Sequence, residues 1–218
     1  MTTSQTDAVT SGAREAGPRL GVLAFGDSIT NGGGELQWGV ALQSWALWVA
    51  RGLGLPFTSF AADGARVEDV VAEQLVAAVS RAHAPKARYD LGCLYVGVND
   101  VRGFDWDPQR FERGYREALR FLMERCDRVL AVTAPLDLGR PRAGAKVGDL
   151  NAVIQRVADR RAIVLDLSDF GARNLVMADH VHPTAFGQIA IAERALDLLA
   201  REGMTILVRP SSLIRYDT

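Results

Sequence analysis

Short apolar runs alternate with segments of helical periodicity from residue 20 to about residue 200. The runs that predict strands are residues 20–25, 56–61, 91–96, 129–132 and 163–167. Apolar positions three and four residues apart predict helices over residues 38–53, 67–82, 108–126, 147–157 and 183–200. This alternation is typical of repeated strand-helix units. It predicts an α/β fold, a three-layer sandwich whose central five-stranded parallel sheet is covered by helices on both faces.

Three stretches fall outside this alternation. Residues 1–18 have neither the basic start nor the apolar stretch of a signal peptide, so we expect a disordered leader. Residues 134–145 are rich in Pro, Gly and Arg, which predicts a surface loop. Residues 203–218 do not fit the alternation and are expected to form a C-terminal tail. Three roles for this tail are open: an edge strand, a packing arm or an oligomer contact. Residues 19–202 are expected to form one domain, because 218 residues are few for two enzymatic domains.

Composition and charge narrow the classes of function. The chain has 25 Lys and Arg residues against 26 Asp and Glu residues, which gives a formal net charge of −1. No overall field therefore favours nucleic acid or an anionic membrane surface. The hydrophobic fraction of 48% is ordinary for a globular protein, and no apolar run of about 18 residues could form an integral membrane segment. We expect a cytoplasmic protein with a small-molecule substrate, in an oligomeric state that the sequence leaves open.

The two cysteines do not indicate a redox or metal centre. Cys93 lies in an apolar run and Cys126 ends a helical pattern, so their spacing fits neither a metal site nor a disulfide framework. No base lies near Cys93 in sequence to activate its thiol. We expect two buried or partly buried free thiols.

The residues with chemical potential follow the predicted strands. Ser28 comes directly after the first strand, Gly64 after the second, Asn99 after the third, and Asp179 and His182 after the fifth. The carboxyl ends of parallel strands meet at one edge of a sheet, where ligands of such folds bind. The pattern therefore predicts a single site built from four separate segments.

These residue types together can perform acyl transfer. Ser28 is the candidate nucleophile, His182 the base that removes its proton, and Asp179 the group that orients the imidazole. The N–H groups of Ser28 and Gly64 and the side-chain amide of Asn99 are candidate donors to an oxyanion. No cofactor is required for this chemistry.

Other interpretations of the same residues remain open. Asp179, His180 and His182 have ligand types that suit zinc, although no distant further ligand is evident. His180 is otherwise expected to have a supporting or solvent-exposed role. Trp106 either lines the substrate pocket or packs over the edge of the sheet. Asp27 is expected to brace the turn that carries the serine.

The combination of four motifs resembles the SGNH or GDSL-type hydrolases. The motifs are FGDSIT, ADGARVEDV, GVND and DHVHPTAFG, in that order along the chain. The resemblance covers about residues 20–200 and implies a flavodoxin-like sheet. It also implies an oxyanion hole of Ser28, Gly64 and Asn99, and a dyad of Asp179 and His182 behind the nucleophile.

One departure from the family pattern concerns the second motif. The family commonly has Asn-x-Gly there, whereas this chain has Ala62-Asp63-Gly64. The glycine is kept, so the change bears only on a hydrogen bond that braces the loop. The resulting hypothesis is a short-chain carboxylic ester hydrolase that works through an acyl-serine. Alternatives are a deacetylase of a carbohydrate or secondary metabolite, a thioesterase, and a non-catalytic ligand-binding module on the same fold.

Overall fold

A parallel sheet forms the centre of the molecule. The computed structural model describes residues 20–33, 43–81, 88–139, 141–172 and 174–214. Within these residues the sheet has five strands, which are β1 (Val22–Gly26), β2 (Phe57–Ser59), β3 (Tyr89–Tyr95), β4 (Cys126–Val132) and β5 (Ile163–Leu165). Their order is β2-β1-β3-β4-β5 and every pairing is parallel. This is the flavodoxin-like order, and it confirms the predicted fold class.

Helices cover both faces of the sheet. They are α1 (Ser28–Asn31), α2 (Trp45–Leu53), α3 (Val67–Asp69), α4 (Leu75–Ser80), α5 (Val98–Arg102), α6 (Pro108–Arg125), α7 (Pro141–Ala158) and α8 (Ala185–Arg201). A π-helical segment, Val70–Gln74, joins α3 to α4, and 3-10 turns occupy Asp159–Arg161 and Pro210–Ile214. Helix α2 packs against α8, while α6 packs against α3 and α7. Right-handed crossovers place these two groups of helices on opposite faces.

The core is continuous through the sheet. All five residues of β1 are buried, as are the last five of β3, which is the burial expected of central parallel strands. Trp45, in α2, is fully buried, and the centroid of its indole ring lies 6.3 Å from the centroid of the Tyr95 phenol ring. The carboxyl ends of β1 and β3 lie side by side, because the two strands pair up to Gly26 and Tyr95.

Two helices differ from their predicted bounds. Helix α7 begins at Pro141, so the prediction of a loop over residues 134–145 was wrong at its C-terminal end. Proline fits the first turn of a helix, and a buried stripe that includes Ala143 and Val147 holds that turn against the core. Helix α2 is described from Trp45. The earlier part of the predicted helix, residues 38–42, lies outside the described residues, as do residue 82 and the predicted leader at residues 1–18.

The C-terminal segment packs against two helices. The N–H groups of Leu207 and Val208 donate to the carbonyl of Gly52 in α2, at 2.8 and 3.2 Å. The Arg209 guanidinium pairs with Glu193 and Asp197 of α8, at 3.2 and 2.7 Å. Residues 204–209 are neither helix nor strand. The predicted domain limits at residues 19, 202 and 203 stay predictions. Across the parts of the chain that the structure describes, none of the helices has the length and apolarity needed to cross a bilayer.

Candidate active site

The nucleophile candidate lies where β1 passes into α1. Gly26 ends β1 with φ +151°, and a Cβ at this position would lie 2.2 Å from the carbonyl oxygen of Tyr95 in β3. Only glycine permits so close an approach between the two strands. Ser28 follows as the first residue of α1 and is 9% exposed. It therefore stands at the point between β1 and β3 where the strand order reverses.

Asp27 braces this turn. Its Oδ1 accepts a hydrogen bond of 3.0 Å from the N–H of Ile29 and so caps α1. Asp27 is 1% exposed, and among the described residues its Oδ2 has no hydrogen-bond partner. Burial, together with the nearby carboxylates of Asp100 and Asp63, raises the pKa of Asp27 to about 7, against the lowering effect of the Ile29 hydrogen bond.

His182 reaches the serine from a distant part of the chain. Ser28 Oγ and His182 Nε2 are 2.8 Å apart, across a separation of 154 residues in sequence. His182 Nδ1 lies 2.5 Å from Asp179 Oδ2. A carboxylate only accepts, so Nδ1 carries the proton and Nε2 is left to accept from the serine hydroxyl. The three side chains form one continuous hydrogen-bonded chain.

The Asp179 carboxylate also organises the loop that carries His182. Its Oδ1 accepts from the N–H groups of Val181 and His182, at 2.9 and 3.0 Å. Burial alone would raise the pKa of Asp179, but the hydrogen bonds from the His182 ring and from these two N–H groups outweigh it and lower the pKa. Asp179 is thus ionised at neutral pH beside the imidazole.

His180 lies apart from this chain of hydrogen bonds. Its backbone has φ +61°, and its Nδ1 is 3.8 Å from Asp137 Oδ2 in the loop after β4. The side chain is 59% exposed, and it faces a different loop from the one that carries Ser28. Within the described residues, no group of three or more His, Cys, Asp or Glu side chains is arranged to hold a metal ion.

The candidate oxyanion donors share one pocket with the serine. The N–H of Ser28 is the first of α1 and has no carbonyl partner within that helix. Gly64 has φ +77°, a conformation that favours glycine, and a Cβ there would meet nothing within 4 Å. Asn99, in α5, donates one Nδ2 hydrogen to the carbonyl of Ala65 at 3.0 Å, which fixes the amide while its second hydrogen is left for a ligand.

The pocket is open and polar, with a volume of about 410 Å³. Its lining consists of Ser28, Asp63, Gly64, Asn99, Arg102, Asp179, Val181 and His182. Ala62 stands where the family commonly has asparagine, and the next residue, Asp63, accepts at its Oδ1 from Asn31 Nδ2 of α1 at 3.0 Å. The loop after β2 therefore retains a side-chain brace to α1, although the asparagine of the family motif is absent.

Arg102 is a pocket residue that the sequence analysis missed. It lies one helical turn after Asn99, and its Nη1 donates to the carbonyl of Leu138 at 2.8 Å. The signal was the spacing of three residues, which places two side chains of a helix on the same face. The motif drew attention to Asn99 alone.

Trp106 and the two cysteines, which the sequence analysis also considered, do not line the Ser28 pocket. The Trp106 ring packs on Phe111 with centroids 5.5 Å apart, and Trp106 is not among the described residues that line the Ser28 pocket. Both cysteines are buried and free, as predicted. Burial raises the pKa of Cys93 far above neutral and that of Cys126 to about 12, so neither thiol is a nucleophile at neutral pH.

Comparisons with known proteins show the fold and the family of this chain. No curated protein sequence matches the chain. Among solved structures, LAE5, an alpha/beta hydrolase enzyme from the metagenome of Lake Arreo, Spain, is 19% identical with a TM-score of 0.67, covering 85% of this chain and 96% of its own. Axe2, an acetylxylan esterase from Geobacillus stearothermophilus, is 18% identical with a TM-score of 0.64 over 85% of this chain and 96% of its own.

A third structural relative carries a family name. This member of the lipolytic protein G-D-S-L family from Veillonella parvula DSM 2008 is 21% identical, with a TM-score of 0.65 over 83% of this chain and 98% of its own. At such identities these likenesses show the fold alone. The model of the GDSL-like Lipase/Acylhydrolase family matches residues 24–189, which span all four motifs. The chain therefore belongs to the GDSL-like lipase/acylhydrolase family and is a carboxylic ester hydrolase.

Proposed function

We propose that this chain hydrolyses esters of short carboxylic acids through an acyl-serine intermediate on Ser28. The observation that carries the proposal is the hydrogen-bonded chain from Ser28 Oγ through the His182 ring to Asp179, with contacts of 2.8 and 2.5 Å. Such a chain supplies a nucleophile, its base and the group that orients the base. The open, polar pocket supports a short acyl group, because its described lining includes a single aliphatic side chain, Val181.

The chemistry proceeds in two steps. Ser28 Oγ attacks the ester carbonyl carbon and its proton passes to His182 Nε2, while the carbonyl oxygen gains negative charge. The N–H groups of Ser28 and Gly64 and the amide of Asn99 stabilise that charge. The carbon–oxygen bond to the alcohol then breaks, and His182 gives its proton to the departing oxygen. Water, deprotonated by His182, attacks the acyl-serine and releases the acid.

A p-nitrophenyl ester series from acetyl to palmitoyl tests the proposal. We expect turnover to peak at short chains and to vanish in Ser28→Ala and His182→Ala. A fluorophosphonate adds a second readout, since attack by Ser28 Oγ displaces fluoride and leaves a phosphonyl adduct that intact-mass spectra detect. Full activity in the Ser28→Ala protein would refute the mechanism. Ligand binding without turnover or adduct would instead support a non-catalytic module.

Deacetylation of a carbohydrate is a second candidate, favoured by the polar walls of the pocket. Asp63 offers carboxylate oxygens that accept from sugar hydroxyls, and Arg102 offers N–H groups that donate to them. The solved structure of Axe2 is that of an acetylxylan esterase. Acetylated xylo-oligosaccharides compared with p-nitrophenyl acetate decide between the candidates. A much higher kcat/KM on the sugar ester, lost in both Asp63→Ala and Arg102→Ala, would favour the deacetylase.

A further inference from the structure

Two buried glutamines contact the backbone on either side of Ser28. Gln74 is 4% exposed and Gln188 is fully buried. One comes from the π-helical segment on one face of the sheet, and the other from α8 on the opposite face. Neither touches the pocket, and a buried amide without a ligand role is costly unless the protein uses its hydrogen bonds.

Gln74 binds both backbone groups of Gly26. Its Oε1 accepts from the Gly26 N–H at 3.0 Å, and its Nε2 donates to the Gly26 carbonyl at 2.8 Å. Gly26 is two residues before Ser28, at the end of β1. The π-helical segment places the glutamine there, since π-helical turns displace side chains from the ordinary helical phase.

Gln188 joins the segment of the nucleophile to the segment of the base. Its Nε2 donates to the Ile29 carbonyl at 3.1 Å, and its Oε1 accepts from the Trp45 N–H at 2.8 Å. Helix α8 begins at Ala185, three residues after His182. The Gln188 side chain therefore connects the segment that carries Ser28 to the helix that follows His182. This connection is additional to the direct contact between Ser28 and His182.

Helix α1 needs such support. It has four residues, which is too short to be stable by its own hydrogen bonds. We propose that Gln74 and Gln188 are positioning residues, which hold residues 26–29 so that the Ser28 hydroxyl stays within hydrogen-bonding distance of His182. The inference rests on the proposed catalytic role of Ser28. A displacement of about 1 Å in such a site costs on the order of 10²-fold in rate.

Asn151 offers a matched control. Its side-chain amide makes the same pair of bonds to the backbone of Ala134, at 2.9 and 2.8 Å, and it is 6% exposed. Ala134 follows β4 and does not line the pocket. Replacing Asn151 with leucine and each glutamine with methionine, at similar volume, removes two side-chain hydrogen bonds to the backbone in each case. The bonds of Asn151 lie after β4, away from Ser28.

The experiment measures the second-order rate of Ser28 phosphonylation, kcat and KM for p-nitrophenyl acetate, and the Tm of each variant. We expect Gln74→Met and Gln188→Met to lower the phosphonylation rate and kcat by roughly 10- to 100-fold with little change in KM, at temperatures where they are folded. Asn151→Leu should lose a similar amount of Tm but stay within about twofold of the parent rates. If a methionine variant does not fold, the alanine variant replaces it, because water can enter the cavity and satisfy the backbone groups.

Two results would overturn the inference, and two others would refute the proposed function on which it rests. Folded glutamine variants that react within about twofold of the parent protein would show that the two amides act on stability alone. An equal loss of rate in Asn151→Leu would show that general destabilisation is the cause. A parent protein that neither hydrolyses the ester nor reacts with the phosphonate, or a Ser28→Ala protein with full activity, would refute the proposed function itself.

Discussion

Asn99 is the side-chain donor of the proposed oxyanion hole, and its amide is fixed by the carbonyl of Ala65. We expect Asn99→Ala to lower kcat by about 10²–10³-fold, equivalent to about 2.7–4 kcal/mol, with KM nearly unchanged, because the charge on the carbonyl oxygen develops only in the transition state. Steady-state kinetics on p-nitrophenyl acetate measure this. Asn99→Asp is the matched control. Its carboxylate repels the oxyanion, so it should be no more active than the alanine variant.

An Asn99→Ala protein that retains more than about a third of kcat would contradict this assignment. The pocket would then rely on backbone N–H groups alone, with Asn99 serving to hold the loop through Ala65. A large loss in the Tm of Asn99→Ala with normal kcat would also indicate that Asn99 holds the loop and does not stabilise the oxyanion.

Asp27 makes the stability of the protein dependent on pH. Burial raises its pKa in the folded state from 3.8 to about 7. The folded protein therefore binds more protons than the unfolded chain between these values, and the contribution of Asp27 to stability is lost as the pH rises through about 7. We expect the free energy of unfolding of Asp27→Asn to fall by about 2–4 kcal/mol less than that of the parent protein over this pH range. Asparagine carries no charge, and its Oδ1 still accepts from the Ile29 N–H.

Urea unfolding of both proteins at pH values from about 4.5 to about 8 measures the effect. Equal slopes of the free energy of unfolding against pH would contradict it. Asp149→Asn is a suitable control, because Asp149 is exposed on α7 and is not among the carboxylates that raise the pKa of Asp27.

Hydrophobic periodicity predicts most of the helices and strands but not all of their details. The sheet, its parallel strands and the long helices follow from the alternation of apolar runs. The start of α7 does not, because Arg142, Gly144 and Lys146 dilute the stripe that Ala143 and Val147 begin. The π-helical segment is likewise invisible, since one extra residue per turn leaves the local composition unchanged. Nothing in the sequence therefore separates Gln74, which is buried against Gly26, from the exposed polar residues of a regular helix.

The position of α8 depends on a glycine in its first turn. A Cβ at Gly187 would lie 1.9 Å from the Leu175 carbonyl oxygen, which accepts from the Thr184 N–H at 2.9 Å. We expect Gly187→Ala to separate α8 from the strap at residues 175–183 that carries His182, with losses of both activity and roughly 1–3 kcal/mol of stability. Thermal unfolding and kcat/KM measure the two effects.

Gly148→Ala is the control for this substitution. Gly148 lies in α7, where an added Cβ meets nothing within 4 Å, so alanine should gain about 0.5–1 kcal/mol through its better helix propensity. A Gly187→Ala protein as stable as the Gly148→Ala protein would contradict this prediction. It would show that residues 175–183 can move away from the added methyl group with no loss in the free energy of unfolding.

At the scale of the molecule, four loops from one edge of the sheet assemble the site, and this convergence was predictable because parallel strands share their carboxyl ends. The lining of the pocket was not. Only a spacing of three residues from Asn99 pointed to Arg102, and Val181 enters the lining through the path of the loop between Asp179 and His182, which no spacing rule fixes. The short contact between Ser28 and His182 likewise depends on how α1 and α8 pack, through buried amides whose partners are far apart in sequence.

Most arginine–carboxylate pairs of the described residues lie on the surface of this nearly neutral molecule and contribute little to its stability. They include Arg66 with Asp105, Arg88 with Asp127, Arg110 with Glu68, Arg156 with Glu112, and Arg194 with Asp169. Exposed pairs are worth about 0–1 kcal/mol and are screened by salt. The buried apolar cluster that runs through the sheet is not screened, so stability should rest on it.

We therefore expect Tm to fall by no more than about 5 °C when NaCl rises from about 0.05 M to about 1 M, because 1 kcal/mol corresponds to about 2–4 °C in a protein of this size. Calorimetry at both concentrations measures the change, and KCl in place of NaCl separates screening from specific binding of sodium. A fall of more than about 10 °C would mean that the arginines act as a cooperative network. Truncating Arg156, whose partner Glu112 also pairs with Arg116, would then cost far more than an exposed pair does.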